Sequence, residues 1–168
     1  VNIKDTKKIC REDCSYQYNY SPNSSVLVKN KGDCLELKVD GQNKVNFNGY
    51  KVDLDQSEIK GGAVKIFCPS LHLFDGEQVA GEIIITHSGS NNTVLVCIPI
   101  IVRDGSGKSN NFFKQLIPYI NLAENNPKHQ NINVSKWSLN DITPTGDYYF
   151  YNGALPYQPC TKNVQKRI

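Results

Sequence analysis

The 168-residue chain contains no methionine, one tryptophan and three histidines, and no apolar run approaches the length that a spanning helix needs, about 20 residues. The missing run excludes a hydrophobic membrane-crossing helix, so membrane contact is expected only through segments outside this chain. The opening residues, "VNIKDTKKIC", show no charged n-region, apolar h-region or small-residue cleavage site. With no initiator methionine either, they read as the start of a fragment of a longer product. There is no internal repeat, low-complexity tract or Pro/Ser-rich linker, which excludes a solenoid and predicts one domain over residues 1–168. A chain of this length buries about two thirds of the surface its unfolded form exposes. The net charge is only +3, drawn partly from "KDTKK" and "KNVQKRI" at the two ends. That is too small and too dispersed for a nucleic-acid partner, and none is expected.

What the chain does have is strand signal. "CLELKVDG", "NKVNFNGYKVDL", "GAVKIF", "GEIIITH" and "NTVLVCIPIIV" alternate or carry β-branched runs, and Gly, Asn and Pro punctuate them. Asp40-Gly41, Asn48-Gly49, Asp75-Gly76 and Asp104-Gly105 fall between or beside these runs, where tight turns with positive φ belong. The fold class predicted is mainly β (α+β), a large, mostly antiparallel sheet with one or a few short helices. The helix is placed in "SNNFFKQLIPYINLAEN", where Phe112, Phe113, Leu116 and Ile117 recur at helical spacing after a Ser-Asn-Asn cap, and Pro118 is expected to end it.

Six cysteines (Cys10, Cys14, Cys34, Cys68, Cys97, Cys160) allow up to three disulfides in an oxidising compartment, although Cys97 lies in an apolar run where a buried thiol is equally consistent. A zinc knuckle at Cys10 and Cys14 is disfavoured, because structural zinc takes four ligands and no second close pair follows. Asn23, Asn91 and Asn133 head glycosylation sequons in polar, turn-like stretches.

Read in order, several stretches resemble the α-class carbonic anhydrase domain over nearly the whole chain. "VNI" looks like the end of that family's Gln-Ser-Pro-(Ile/Val)-Asn-Ile signature, so the domain's first residues are expected outside the chain. "VKNKGDCLELKV" resembles an Asn-Asn-Gly-His strand segment. "PSLHLFDGEQVAGEIIITH", residues 69–87, resembles without gaps the Pro-Ser-Glu-His, Asp-Gly and Glu-Leu-His-Leu-Val-His pattern. "SLNDITPTGDYYFYNGALPYQPC" resembles the later Tyr-Tyr-Tyr-Gly-Ser-Leu and Pro-Pro-Cys run.

The resemblance implies a zinc site built from a His-X-His strand and one histidine of the next strand, whose bound hydroxide attacks carbon dioxide. Carried over by position, those three ligands fall on Lys65, Phe67 and Ile84, and the threonine that orients the hydroxide falls on Pro156. Neither His72 nor His87 belongs to a His-X-His pair, so a shift of register recovers no ligand set. His72 and His87 match family positions that support the structure rather than bind metal, and His72 is expected to hydrogen-bond Glu82, which matches an acid that backs the family's ligands. His129 reads as an exposed loop residue. Tyr157 takes a second threonine position, where its ring would either close the substrate entrance or pack in a turn.

The expectations for function follow from that loss: no cofactor, no enzyme activity, and a catalytically inactive domain similar to the cell-surface-binding protein of poxviruses. On this reading it is a structural or attachment component of a large DNA virus particle, located in the virion at its surface or associated with the capsid. Its partners would be other virion or capsid proteins, or host cell-surface glycan. Lys4, Lys7, Lys8, Lys162, Lys166 and Arg167 would form the basic contact for a sulfated glycan if the two ends of the chain lie together. The alternative is an active zinc carbonic anhydrase.

Overall fold

The computed structural model describes residues 2, 16–39, 44–47, 50–54, 64–89, 93–102, 110–124, 130–157, 160 and 164–167. In chain order the strands are β1 (Tyr16–Asn19), β2 (Asn23–Asn30), β3 (Leu35–Val39), β4 (Lys44–Phe47), β5 (Tyr50–Leu54), β6 (Val64–Phe67), β7 (Leu73–Phe74) and β8 (Glu77–Gln78). They continue as β9 (Gly81–Ser88), β10 (Thr93–Ile100), β11 (Gln130–Trp137), β12 (Phe150–Gly153) and β13 (Val164–Arg167), with one α-helix among the described residues, α1 (Asn111–Glu124), after β10 and a short 3-10 helix (Leu139–Asp141) after β11. Eleven strands make one sheet in the order β1-β4-β5-β9-β6-β3-β2-β11, and β10, β13 and β12 continue it from the other edge of β9. The β10–β13 pair is parallel and the other pairs are antiparallel. The mainly β, largely antiparallel class read from the sequence is the one observed.

The centre of the sheet is buried on both faces, and the period-2 alternation of strands assigns its residues to two different tasks. On one face Val64, Ile66, Ile83, Ile85, Val94, Val96 and Ile98 join the large core with Tyr20, Phe112, Leu116, Ile132 and Trp137. On the other, Phe67, Ile84, Leu95 and Cys97 form a second apolar cluster with Cys34 and Leu155. The isoleucine run of β9 therefore serves both layers. Each fully buried aliphatic side chain contributes about 1.5–3 kcal/mol by leaving water.

The Asp75-Gly76 turn adopts positive φ at both residues (58° and 89°) and connects β7 to β8. This is the mirror-image turn that Asp-Gly favours, because its twist matches that of the strands. The other three Asp-Gly or Asn-Gly pairs lie outside the described residues.

The helix departs from the sequence reading in length. Asn110 caps it, its side chain accepting the Phe112 N–H at 2.9 Å, but α1 continues through Pro118 to Glu124. Pro118 is exposed, so the carbonyl that loses its helical donor can be solvated instead of buried. Phe112 and Leu116 dock in the core, whereas Ile117 is 52% exposed and faces away from it. Phe112 stacks on Trp137 with centroids 4.4 Å apart, and the indole N–H donates to the Phe112 carbonyl at 3.1 Å. The Gln115 side chain both donates to and accepts from the Ser135 backbone, tying α1 to β11.

Candidate active-site cleft

Lys65 and Ile84 are direct partners in the β6–β9 register, and Phe67 lies two residues beyond Lys65 on the same face. The three positions to which the resemblance assigns zinc ligands thus converge on adjacent strands, as a shared site requires. Their chemistry does not match: an ammonium, a phenyl ring and a branched alkyl group offer a divalent cation no lone pair, and zinc does not fit there.

A cavity of about 690 Å³ opens above them, walled by Lys31, Glu36, Lys65, Phe67, Leu71, Pro156 and Tyr157. Its floor is filled by Phe67, Ile84, Leu95, Cys97 and Leu155. Tyr157 folds inward. Its ring stacks on Phe67 at 5.9 Å between centroids and 24° between planes, and its hydroxyl meets Thr86 Oγ1 at 2.9 Å. Of the two placements open from sequence, the ring takes the one inside the cleft, with half-buried Pro156 beside it. Lys65 is 8% exposed. Its ammonium lies 3.9 Å from Glu36 Oε2 and 4.4 Å from the centre of the Tyr157 ring, so a carboxylate and an aromatic face offset the cost of its burial. Lys31 approaches the same carboxylate oxygen at 3.9 Å from the solvent side. Cys34 is buried nearby, and its thiol is pushed up to about 11, chiefly by burial, with Lys65 opposing the shift.

Behind the cleft lies a second polar cluster. The His72 ring bonds the Glu82 carboxylate through Nδ1 and the Tyr151 hydroxyl through Nε2. The other Glu82 oxygen accepts the backbone N–H groups of Leu71 and His72 at 2.8 and 3.0 Å. The turn that presents His72 is fixed by Ser70, whose hydroxyl donates to the His72 carbonyl at 2.8 Å and accepts the Val79 N–H at 3.0 Å. The Tyr151 hydroxyl holds its proton well above the ordinary phenol range, because burial and then the nearby Cys97 and Glu82 disfavour a phenolate. Gly81 is required where β9 meets β6, since a Cβ there would stand 2.8 Å from the Phe67 carbonyl and 3.1 Å from Cys68 Sγ.

The remaining expected residues are scattered. His87 is fully buried on the opposite, core face, with Nε2 at 2.9 Å from the Tyr20 hydroxyl, so it is not part of the His72–Glu82 cluster. Asn133 is exposed on β11. Asn23 corrects its sequon reading: it opens β2 opposite Trp137, is 6% exposed and donates to the Ser21 carbonyl, so pairing removes it from solvent. Asn91, His129, Lys4, Lys7, Lys8 and Lys162 lie outside the described residues. Lys166 and Arg167 lie on β13 between β10 and β12, opposite Leu95 and Val96 on one side and Tyr151 and Phe150 on the other. Cys34, Cys68, Cys97 and Cys160 carry thiols, while Cys10 and Cys14 lie outside the described residues. Sequence reasoning missed Glu36, Thr86, Cys97 and Tyr151 as site residues. The alternation of β10, which puts Leu95 and Cys97 on the Ile84 face, was the available signal for Cys97.

The chain matches the eukaryotic-type carbonic anhydrase family over residues 1–166 and belongs to that family. It is 29% identical over 154 residues to alpha carbonic anhydrase 7 of Arabidopsis thaliana, covering 87% of this chain and 50% of the relative. The chain thus spans half the length of that relative. Among solved structures it resembles the Photobacterium profundum α-carbonic anhydrase (TM-score 0.77, 20% identity, 99% of this chain and 70% of that one). It also resembles the enzyme of Thermovibrio ammonificans (0.77, 21%, 99% and 67%) and dioscorin, solved with ascorbate (0.72, 20%, 93% and 61%). The expectation that the chain is not an enzyme is corrected by these findings: the family and the matched relative are carbonic anhydrases by name.

Proposed function

We propose that the protein this chain belongs to acts in the reaction class of its family, the reversible hydration of carbon dioxide. The observation that carries the reading is the match to the family over residues 1–166. The buried His72–Glu82 pair, at positions that the resemblance matches to that family, adds to it. Hydration requires hydroxide at neutral pH, which a divalent ion supplies by acidifying a bound water. In this chain the donors for such an ion would come from residues other than Lys65, Phe67 and Ile84. The test is stopped-flow hydration of carbon dioxide by protein replenished with zinc or cobalt. The expected result is a rate above the buffer blank that a chelator abolishes, and a rate equal to the blank in metal-replete protein refutes the reading.

A second reading is favoured by one feature of the cleft: its floor is filled by Phe67 and Ile84 and Tyr157 folds into it. The outer surface would then carry a contact function, as a structural or attachment component of a large DNA virus particle. A protein partner would bury about 1,200 Å² or more in total, and a sulfated glycan would show strong salt dependence. Binding to immobilised sulfated glycan and to purified particles, with and without added salt, tests this. Absence of both interactions refutes it.

A further inference from the structure

We infer that His72, Glu82 and Cys97 form a binding site for one borderline divalent metal ion of the zinc or cobalt type, behind the cleft floor and apart from residues 65, 67 and 84. The site goes beyond the hydration reading, since metal binding and turnover are separate measurements. One imidazole nitrogen, one carboxylate oxygen and one sulfur lie within 4.8 Å of one another, and all three residues are buried. Tetrahedral bonds of about 2.0–2.3 Å set donors about 3.3–3.8 Å apart, so closing the set requires shifts of about 1 Å.

The placement is built into the sheet. Glu82 faces Pro99 in the β9–β10 register and Cys97 faces Ile84, which makes Glu82 and Cys97 diagonal neighbours on one face. His72 enters from the turn after β6, held by Ser70. Two backbone N–H groups fix one Glu82 oxygen and leave the other directed at His72 Nδ1. The Tyr151 hydroxyl on Nε2 orients the imidazole from behind, the outer-shell contact that metal-bound histidines generally keep. A mixed nitrogen, oxygen and sulfur set with a thiolate selects zinc or cobalt over magnesium or calcium, which prefer oxygen alone. Binding exchanges the His72–Glu82 hydrogen bond for two bonds to the ion: the proton held between Nδ1 and the carboxylate is given up as the imidazole takes the tautomer protonated on Nε2, which then donates to the Tyr151 hydroxyl oxygen, and the Cys97 thiol proton leaves as the sulfur–metal bond forms.

The test is cobalt(II) titration of chelator-treated, intact protein, read by stoichiometry and by near-ultraviolet sulfur-to-cobalt charge transfer. The expected result is one cobalt per chain with that band, no band in Cys97→Ser, and affinity at least tenfold weaker in Glu82→Gln. A variant carrying Cys10→Ser, Cys14→Ser, Cys68→Ser and Cys160→Ser should keep the band. No bound cobalt, a band that survives Cys97→Ser, or a band lost in the four-serine variant overturns the proposal. If Cys97→Ser does not fold, X-ray absorption of the zinc-loaded protein decides: one sulfur with nitrogen or oxygen neighbours supports the site, and any other sulfur count overturns it. Cobalt bound this way without hydration of carbon dioxide refutes the hydration reading and supports the site.

Discussion

Glu36→Gln should destabilise the domain by about 2–4 kcal/mol, because it leaves the Lys65 ammonium buried without its counter-charge. The two residues are cross-strand partners on β3 and β6, with 4% and 11% of their side chains exposed and Nζ 3.9 Å from Oε2. At an effective dielectric of about 20, unit charges at that separation attract by about 4 kcal/mol. Desolvation of both groups consumes much of this attraction when the pair forms, but removing one partner leaves the cost of burying the other. The Tyr157 ring face still offers the ammonium about 1–2 kcal/mol, which sets the lower end of the range. Lys31, with 39% of its side chain exposed, adds little to the pair.

The assay is urea unfolding of four proteins: the parent, Glu36→Gln, Lys65→Met, and the double variant. Lys65→Met removes the charge while keeping most of the stem's volume and should cost less than Glu36→Gln, and the double variant should recover most of the loss. For a domain of this size the single loss lowers Tm by about 6–12 °C. The reasoning is refuted if Glu36→Gln costs under about 0.5 kcal/mol, or if the two substitutions are additive, since either result means that Lys65 is solvated and not coupled to Glu36.

Tyr157→Ala should cost about 3–5 kcal/mol in denaturant unfolding, because it vacates the ring packed on Phe67, while Tyr157→Phe loses only the contact to Thr86 and should cost about 1 kcal/mol. Gly81→Ala should lower stability by about 1–3 kcal/mol, since the new Cβ meets the Phe67 carbonyl and that backbone must move. Cys34 binds its proton more tightly in the folded state than in the unfolded chain, so its contribution is present below the ordinary thiol value of 9.0 and is lost as pH rises towards about 11. Unfolding measured from pH 8 to 11 should therefore show a decline that Cys34→Ala reduces.

Legibility from sequence varied with how local the signal was. The β9 and β10 runs and the Asp75-Gly76 turn were readable because each carries its own pattern, a β-branched series or a dipeptide suited to positive φ. Strand β11 was not singled out: Ile132, Val134 and Trp137 face inward, but the Asn, Ser and Lys between them mask the alternation. That omission led directly to the Asn23 error, because Asn23 is buried through its pairing with Trp137, more than a hundred residues away. Pro118 misled for a different reason. The rule against proline in a helix is a cost of about 3 kcal/mol, and packing of Phe112 and Leu116 can exceed it. In the cleft, the positions of Lys65, Phe67, Ile84 and Tyr157 followed from the aligned register, whereas Glu36, Thr86 and Tyr151 come from three different parts of the chain and have no shared local pattern.

The division of β9 between two faces separates the residues that hold the fold from those that line the cleft. Ile83, Ile85 and His87 face the large core, where volume changes are costly and the neighbours Val64, Val96 and Tyr20 hold them in place. Glu82, Ile84 and Thr86 face the cleft, where Tyr157 and Leu155 reach them from the loop after β12. Ile84 adds apolar burial on the cleft side of β9 while its backbone pairs with Lys65 and Cys97, so cleft filling and strand register are satisfied together. The constraint that remains on the cleft face is at its end, where Glu82 is held by two backbone N–H groups and by His72. An uncharged, non-bonding residue there would leave both donors and the imidazole unmatched, at about 1–3 kcal/mol for each group left buried. The acid at position 82 is thus a folding requirement in its own right, independent of what the residues at 65, 67 and 84 can bind.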